Sequence, residues 1–147
     1  MHDLARFLDA QRSDYANALS ELRGGRKRSH WIWYVLPQLR GLGSSYMAEK
    51  YGLDGVDEAR AYLADETLHA RLAECVDAAH EHVCARGTAV QTLMRSSIDA
   101  LKLVSSLTLF AHEIAGVDDV LAAKASAILD AAAVQGLARC AFTLAAI

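Results

Sequence analysis

The chain has 147 residues, 53% hydrophobic and 22% charged, with a formal net charge of −3. That length and balance describe one globular domain able to bury its own core, and they exclude a disordered chain. The acidic total argues against general nucleic-acid binding, which needs a basic surface. The longest apolar run, Trp31 to Leu36, is far short of the roughly 20 residues that cross a bilayer, so no membrane partner is expected.

The charges in Met1-His2-Asp3-Leu4-Ala5-Arg6 stand where an export signal would carry its apolar core. Cys75, Cys84 and Cys140 make an odd count that does not read as a disulfide framework. Cys75 and Cys84 share an expected helix, on which nine residues rise about 13.5 Å. A disulfide tolerates Cα separations only up to about 7 Å. Reduced thiols in the cytoplasm are the simplest setting.

Asp3 is positioned to cap a first helix. Its Leu4, Phe7, Leu8, Gln11, Tyr15, Ala18, Leu19 and Leu22 recur at three- and four-residue steps as one apolar stripe. Gly24-Gly25 ends it, because glycine takes the left-handed conformation a helix end needs. Ser29 can cap a short helix from His30 to Leu36, limited by Pro37, which disfavours helical geometry in the residue before it. The run Trp31–Leu36 would also suit a buried strand. Helix is preferred, since no second strand candidate exists to satisfy the backbone.

Ser44 can cap a helix over Ser45–Tyr51, and another runs from about Val56 to Ala64 with Val56, Ala59, Tyr62 and Leu63 inward. Asp65 or Thr67 starts the next, which reaches about Arg86 on a stripe of Leu68, Leu72, Cys75, Val76, Ala79 and Val83. Thr88 opens a short helical turn through Met94. Ser96, with Asp99 three positions on, forms an aspartate version of a capping box for a helix over Ser97–Ile114. That helix is apolar over most of its circumference and is expected at the centre. Asp118 caps an alanine-rich helix, Asp119–Gln135, and Leu137–Ile147 reads as a terminal helix. With no repeat or linker, residues 1–147 form a single all-α domain of about six to eight helices, several of them short.

Gly24–Gln38 concentrates the unusual chemistry: both tryptophans, the only proline and the densest positive run. Arg26, Lys27 and Arg28 follow two glycines, and amides opening the next helix would face the same place. That combination suits phosphate or carboxylate. The plainer reading is a solvated basic turn that complements the negative end of the first helix dipole. His30 and Trp33 could wall a site beside the arginines and stack a flat ligand. Equally, Trp31 and Trp33 could anchor the core. His30 is the one candidate acid or base there, of the residue type that titrates nearest neutrality.

Lys102, Ser105 and Ser106 lie in the expected central helix. They could line a polar cavity facing the arginine loop, or the hydroxyls could bond carbonyls four residues back. Lys102 and Ser106, four apart, resemble a serine–lysine nucleophile pair in type, but nothing marks an oxyanion hole. His80 and Cys84 share a helix face at a zinc-compatible spacing. No further ligands accompany them, so neither a metal nor another cofactor is expected.

Gly25–Gly43, with Trp31-Ile32-Trp33-Tyr34-Val35-Leu36-Pro37-Gln38 at its heart, resembles the signature of a bacterial family of unknown function, family 1810 of the domains so described. Phe7-Leu8-Asp9-Ala10-Gln11, Ala59-Arg60-Ala61-Tyr62-Leu63 and Asp99–Ala111 are similar to it in the same order. The resemblance spans Phe7 to Ala111 and implies an all-helical fold without a settled activity. The alanine-rich part from Leu121 departs from it. Members often carry the label calpastatin, which has no weight here, since that inhibitor is largely disordered and this chain is apolar and helical.

The function expected from these residues is binding of, or a minor enzymatic action on, a small anionic ligand, nucleotide-like or sugar-phosphate-like. Arg26, Lys27, Arg28, His30, Trp33, Lys102, Ser105 and Ser106 would form one site. The alternative is an interaction module, in which the alanine-rich C-terminal helices pack as a homodimer face. Convergence of Arg28, His30, Trp33 and Lys102 on one open pocket is the condition on which the single site rests.

Overall fold

A computed structural model describes residues 2–147. Its regular structure is nine α-helices and one π-helical turn. The helices are α1 (Ala5–Arg23), α2 (Ile32–Val35), α3 (Tyr46–Tyr51), α4 (Gly55–Ala64), α5 (Glu66–His80), α6 (Val90–Met94), α7 (Ser97–Ile114), α8 (Asp119–Val134) and α9 (Ala141–Ala146). The π turn, Glu81–Ala85, continues α5. As expected, several are short: α2, α3, α6 and α9 are each only one or two turns long.

The central helix is α7. It packs against α2, α4, α6, α8 and α9, and its buried face includes Leu103, Val104, Leu107, Leu109 and Phe110. Its hydroxyls behave as local chemistry dictates: Ser105 donates to the Leu101 carbonyl at 3.0 Å and Thr108 to the Val104 carbonyl at 2.7 Å. Helix α1 lies on α5 and α2, and α5 also contacts α4 and α8. Phe7 meets Tyr62 edge-on at 5.2 Å, and Tyr62 meets Phe110 at 5.3 Å, which joins α1, α4 and α7 through aromatic rings. Gln11, on the apolar stripe of α1, is 1% exposed and spans to the Tyr34 carbonyl (2.7 Å) and the Tyr62 hydroxyl (3.0 Å).

Helix starts follow their expected caps where the capping oxygen has no stronger suitor. Asp65, Ser96 and Asp118 accept from Leu68, Asp99 and Leu121. Three expectations are corrected. Asp3 does not cap α1; Leu4 holds that position, and the Asp3 carbonyl accepts from Arg6. Ser45 caps α3 in place of Ser44. Ser29 does not cap α2, because its hydroxyl donates to Glu21 at 2.7 Å, and the helix begins only after Trp31. The terminal helix also starts later than expected, at Ala141. Arg139 pairs with Asp130 at 2.9 Å, and the Cys140 amide donates to Thr108, so the segment before α9 is held to α7 and α8.

Gln38–Arg40 runs alongside Leu53 in a parallel bridge, with Arg40 N–H on the Leu53 carbonyl at 2.8 Å and Leu53 N–H on the Gln38 carbonyl at 2.9 Å. The chain after α2 is therefore clipped to the start of α4. A Cβ on Gly52 would lie 2.7 Å from the Arg40 Cα, so this crossing needs glycine.

The π turn has a packing consequence. It holds His82, which is 7% exposed, with Nε2 at 2.8 Å from the Arg23 carbonyl. The imidazole caps the end of α1 and closes on Gly25, which stands at φ +82°. A Cβ there would meet His82 Cε1 at 2.7 Å. Gly25→Ala is expected to lower stability by about 1–3 kcal/mol, from the left-handed backbone and the displaced imidazole together. The midpoint of urea unfolding measures it, and an unchanged midpoint contradicts the account.

Candidate functional site

The basic loop after α1 is organised from inside. Glu21 on α1 accepts four hydrogen bonds: from the Arg28 amide (2.6 Å), the Ser29 amide (2.8 Å), the Ser29 hydroxyl (2.7 Å) and the Trp31 indole (2.9 Å). Burial alone would raise the Glu21 carboxyl, but these donors outweigh it and hold it at about 2. The amides expected to face an outside anion thus face the chain's own carboxylate.

Lys27 is likewise turned inward, 3% exposed. Its ammonium sits 2.8 Å from Asp99, bonds the Ser29 carbonyl and lies 4.9 Å from the Trp31 ring centroid, while its amide donates to Leu93 at 2.7 Å. A lysine so paired is a structural cation, which takes Lys27 out of the ligand-facing set. Arg26 and Arg28, on either side of it, are exposed. Trp31 is fully buried, whereas Trp33 is half-buried. The tryptophans therefore divide the core and surface roles between them.

Trp33 and Lys102 do converge. The Lys102 ammonium lies 4.7 Å from the Trp33 ring centroid, and 4.0 Å from Asp99. Lys102 and Ser105 then line a groove of about 560 Å³, with Gln38, Ser44, Ile98 and Cys140 among its other walls. Ile98 and Leu101 form an apolar rim, 65% and 52% exposed. Ser106 is not part of it: the residue is fully buried, and its hydroxyl has no partner among the described residues. His30 is exposed and lines neither this groove nor the arginine cleft described next, so the loop brings no acid or base to either.

Arg26 faces elsewhere. With Arg95, Gln91, Thr92 and Ala89 it lines a separate cleft of about 510 Å³. Arg28 is tied to that cleft through its carbonyl, which accepts from Arg95 at 3.0 Å. The single site expected from the sequence is thus two concavities, one around Lys102 and one around Arg26. Among the described residues no group of three or more His, Cys, Asp or Glu side chains is placed to hold a metal, and no helix is long and apolar enough to cross a membrane.

The sequence pattern missed Cys140, Gln38 and Arg95. Gln38 closes the marked stretch Gly24–Gln38, and Arg95 stands directly before the cap of α7; Cys140 lies outside any marked motif. Cys140 arrives at the groove because the C-terminal segment folds back along α7. Burial alone would push its thiol up. The polar groups about it, the Ser105 hydroxyl first, then Thr143 and the Phe142 backbone, instead bring it below the usual thiol value. Cys84 is the exposed cysteine, and its thiol is raised, by burial first and by the nearby Asp130 second.

A family model described as a protein of unknown function, DUF1810, matches residues 1–134. The match runs past Ala111 and takes in α8, most of which the sequence reading had placed outside the resemblance. Among solved structures, the conserved hypothetical protein Rv1873 from Mycobacterium tuberculosis is 40% identical, covers 97% of this chain and 94% of its own, and superposes with a TM-score of 0.83. The comparison with curated proteins gives no match.

Two measurements follow from this geometry. Glu21→Gln is expected to cost roughly 2–3 kcal/mol at neutral pH, the worth of charged hydrogen bonds to several donors. The folded-state value of Glu21 is depressed, so its contribution is full above the ordinary 4.5 and is lost as pH falls toward about 2. Wild type and variant should therefore converge in stability across that window; a difference constant with pH would refute the assignment. Iodoacetamide at neutral pH should modify Cys140 before the more exposed Cys84, as read by peptide mass mapping, because the thiolate is the nucleophile. Faster reaction at Cys84 would show that exposure alone governs the two.

Proposed function

The chain belongs to the DUF1810 family, whose activity is not described, and on that premise we propose that it binds a small organic anion in the groove at Lys102. The observation that carries this reading is the Lys102 ammonium held 4.7 Å over Trp33 at the wall of the groove. Two ammoniums, Lys27 and Lys102, share one carboxylate, Asp99, and 2 − 1 leaves one positive charge. Asp99 stands 2.8 Å from Lys27 and 4.0 Å from Lys102, so the uncompensated charge is on Lys102. The indole face restrains the lysine, a contact worth about 0.5–2 kcal/mol depending on desolvation. A cation with few conformations to lose suits a bound anion.

The rest of the groove sets the ligand's other features. A volume of about 560 Å³ is in the range of small-molecule sites. Ile98 and Leu101 offer apolar surface to a flat or aliphatic body, and Gln38, Ser44 and Ser105 offer neutral polar groups at its edge. The ligand class is an anion with an apolar or aromatic face, such as a nucleotide or an aromatic acid. Binding, rather than catalysis, is the activity assigned, because His30 does not line the groove. The three free cysteines favour a cytoplasmic setting.

A second reading has its own observation. Ile98 and Leu101, three apart on α7, are exposed and could pair with a second copy of the chain. The C-terminal face expected for that purpose offers Phe142 and Leu144 on α9, 48% and 49% exposed, besides Val120 and Val134, which are fourteen residues apart on α8.

Thermal-shift screening of nucleotides, sugar phosphates and aromatic acids at millimolar concentration should find a ligand that also shields Cys140 from iodoacetamide. Lys102→Met should weaken that ligand about tenfold or more, equivalent to ~1.4 kcal/mol, with little change in melting temperature. Undiminished binding by the variant, or no ligand in the three classes, would refute the groove reading. Light scattering decides the second: a monomer at micromolar concentration removes it.

A further inference from the structure

The arginines of this chain are sorted. Seven of the eleven have a carboxylate within 4.0 Å, among them Arg6 on Glu58 and Arg139 on Asp130. An eighth, Arg71, lies 5.1 Å from the Tyr15 ring centroid and bonds Gln11. Among the described residues, the three left without a carboxylate or a ring are Arg26, Arg28 and Arg95; Arg26 and Arg95 line one cleft, and the Arg28 carbonyl accepts from Arg95 beside it. Carboxylates are not scarce, since the chain has 18 acidic against 15 basic side chains. A guanidinium keeps its charge at any ordinary pH, so like charges left together favour an anion from outside.

The cleft is also rigid. Arg28 is fixed from below by Glu21 and from the side by Arg95, whose guanidinium donates to its carbonyl at 3.0 Å. Between the two exposed arginines, Lys27 is anchored to Asp99 and Leu93. Arg95 stands at φ +74°, the one non-glycine residue with positive φ among those described. It caps the end of α6, a position where glycine meets the backbone requirement without strain. The backbone therefore does not explain an arginine there; its side chain, across the cleft from Arg26, does.

We propose that Arg26 and Arg95 form a second anion site, separate from the Lys102 groove, that takes the phosphoryl group of a small phosphorylated molecule. Guanidinium forks match phosphate oxygens in geometry as well as charge. Gln91 and Thr92, on the same wall, supply neutral polar groups. The cleft encloses about 510 Å³ and the chain carries a net −3, which favours a compact dianion over a polyanion that would track a longer surface.

The test is titration calorimetry of the full chain with inorganic phosphate, with a nucleoside monophosphate and with a short single-stranded RNA, at low salt. Phosphate and the monophosphate should bind, and Arg26→Gln and Arg95→Gln should each weaken both about tenfold or more. Arg12→Gln, which removes a surface arginine paired with Asp9 on the exposed side of α1, should leave both unchanged. Arg26 makes no hydrogen bond or ion pair through its side chain among the described residues, so its variant tests the site without disturbing the fold. Phosphate affinity unaltered by Arg26→Gln, or no phosphate binding at all, would overturn the proposal. RNA binding that inorganic phosphate does not compete away would also overturn it, in favour of a nucleic-acid surface.

Discussion

The carboxylate of Glu21 holds four donors from the segment that follows α1, and the middle of the molecule is arranged about that contact. Two of the donors are amides of an irregular loop, groups that must find acceptors if they are not to be left in water or unsatisfied. The third is a serine hydroxyl and the fourth the indole of a fully buried tryptophan. By binding them all, Glu21 delays the start of α2 until after Trp31 and seats that ring in the core. It also leaves Arg26 and Arg28 pointing outward on either side of Lys27. A glycine-led loop flanked by arginines resembles an anion-binding device because it is one; its anion belongs to the same chain.

The same principle runs through the other buried charges. Glu58 is 2% exposed, yet Arg6 engages both its oxygens at 2.8 and 2.9 Å, and the Asp54 amide adds a third bond at 2.8 Å. Its carboxyl is held below the ordinary value, since the guanidinium and amide outweigh the burial that would raise it. Lys27 and Asp99 do likewise beneath the loop. A buried charge with its hydrogen bonds complete is tolerable, and one without is costly. Because the interior pairs its charges this fully, the unpaired cations at the surface stand out. Among the described residues, Arg26, Arg28 and Arg95 have neither a carboxylate nor a ring beside them, and Lys102 has only a shared carboxylate at 4.0 Å.

The departures from local rules have local causes. Ser29 has a good capping side chain, but a carboxylate is a stronger partner for its hydroxyl than a helix amide. Leu137–Arg139 stays out of helix because an ion pair to Asp130 and a bond to Thr108 hold it flat against α7 and α8. In each case a contact with a residue distant in sequence overrides a preference worth a kilocalorie or less.

The sequence by itself determined the all-helical class, the bounds of α7 and the start of α8, and the core positions of Phe7, Leu22, Tyr62, Leu72 and Phe110. Helical periodicity and short-range caps are properties of neighbouring residues, so they can be read without knowing the fold. It also marked Trp33 and Lys102 as residues that had to meet, and they do. Tertiary structure alone decided which basic residues reach solvent. Lys27 and Arg28 are adjacent and chemically alike in sequence; one is buried because Asp99 lies beneath the loop and the other exposed because nothing does. It likewise brought Cys140 to the groove and Arg95 to the arginine loop, across 67 residues from Arg28. Such placements depend on how helices pack, and no local pattern encodes them.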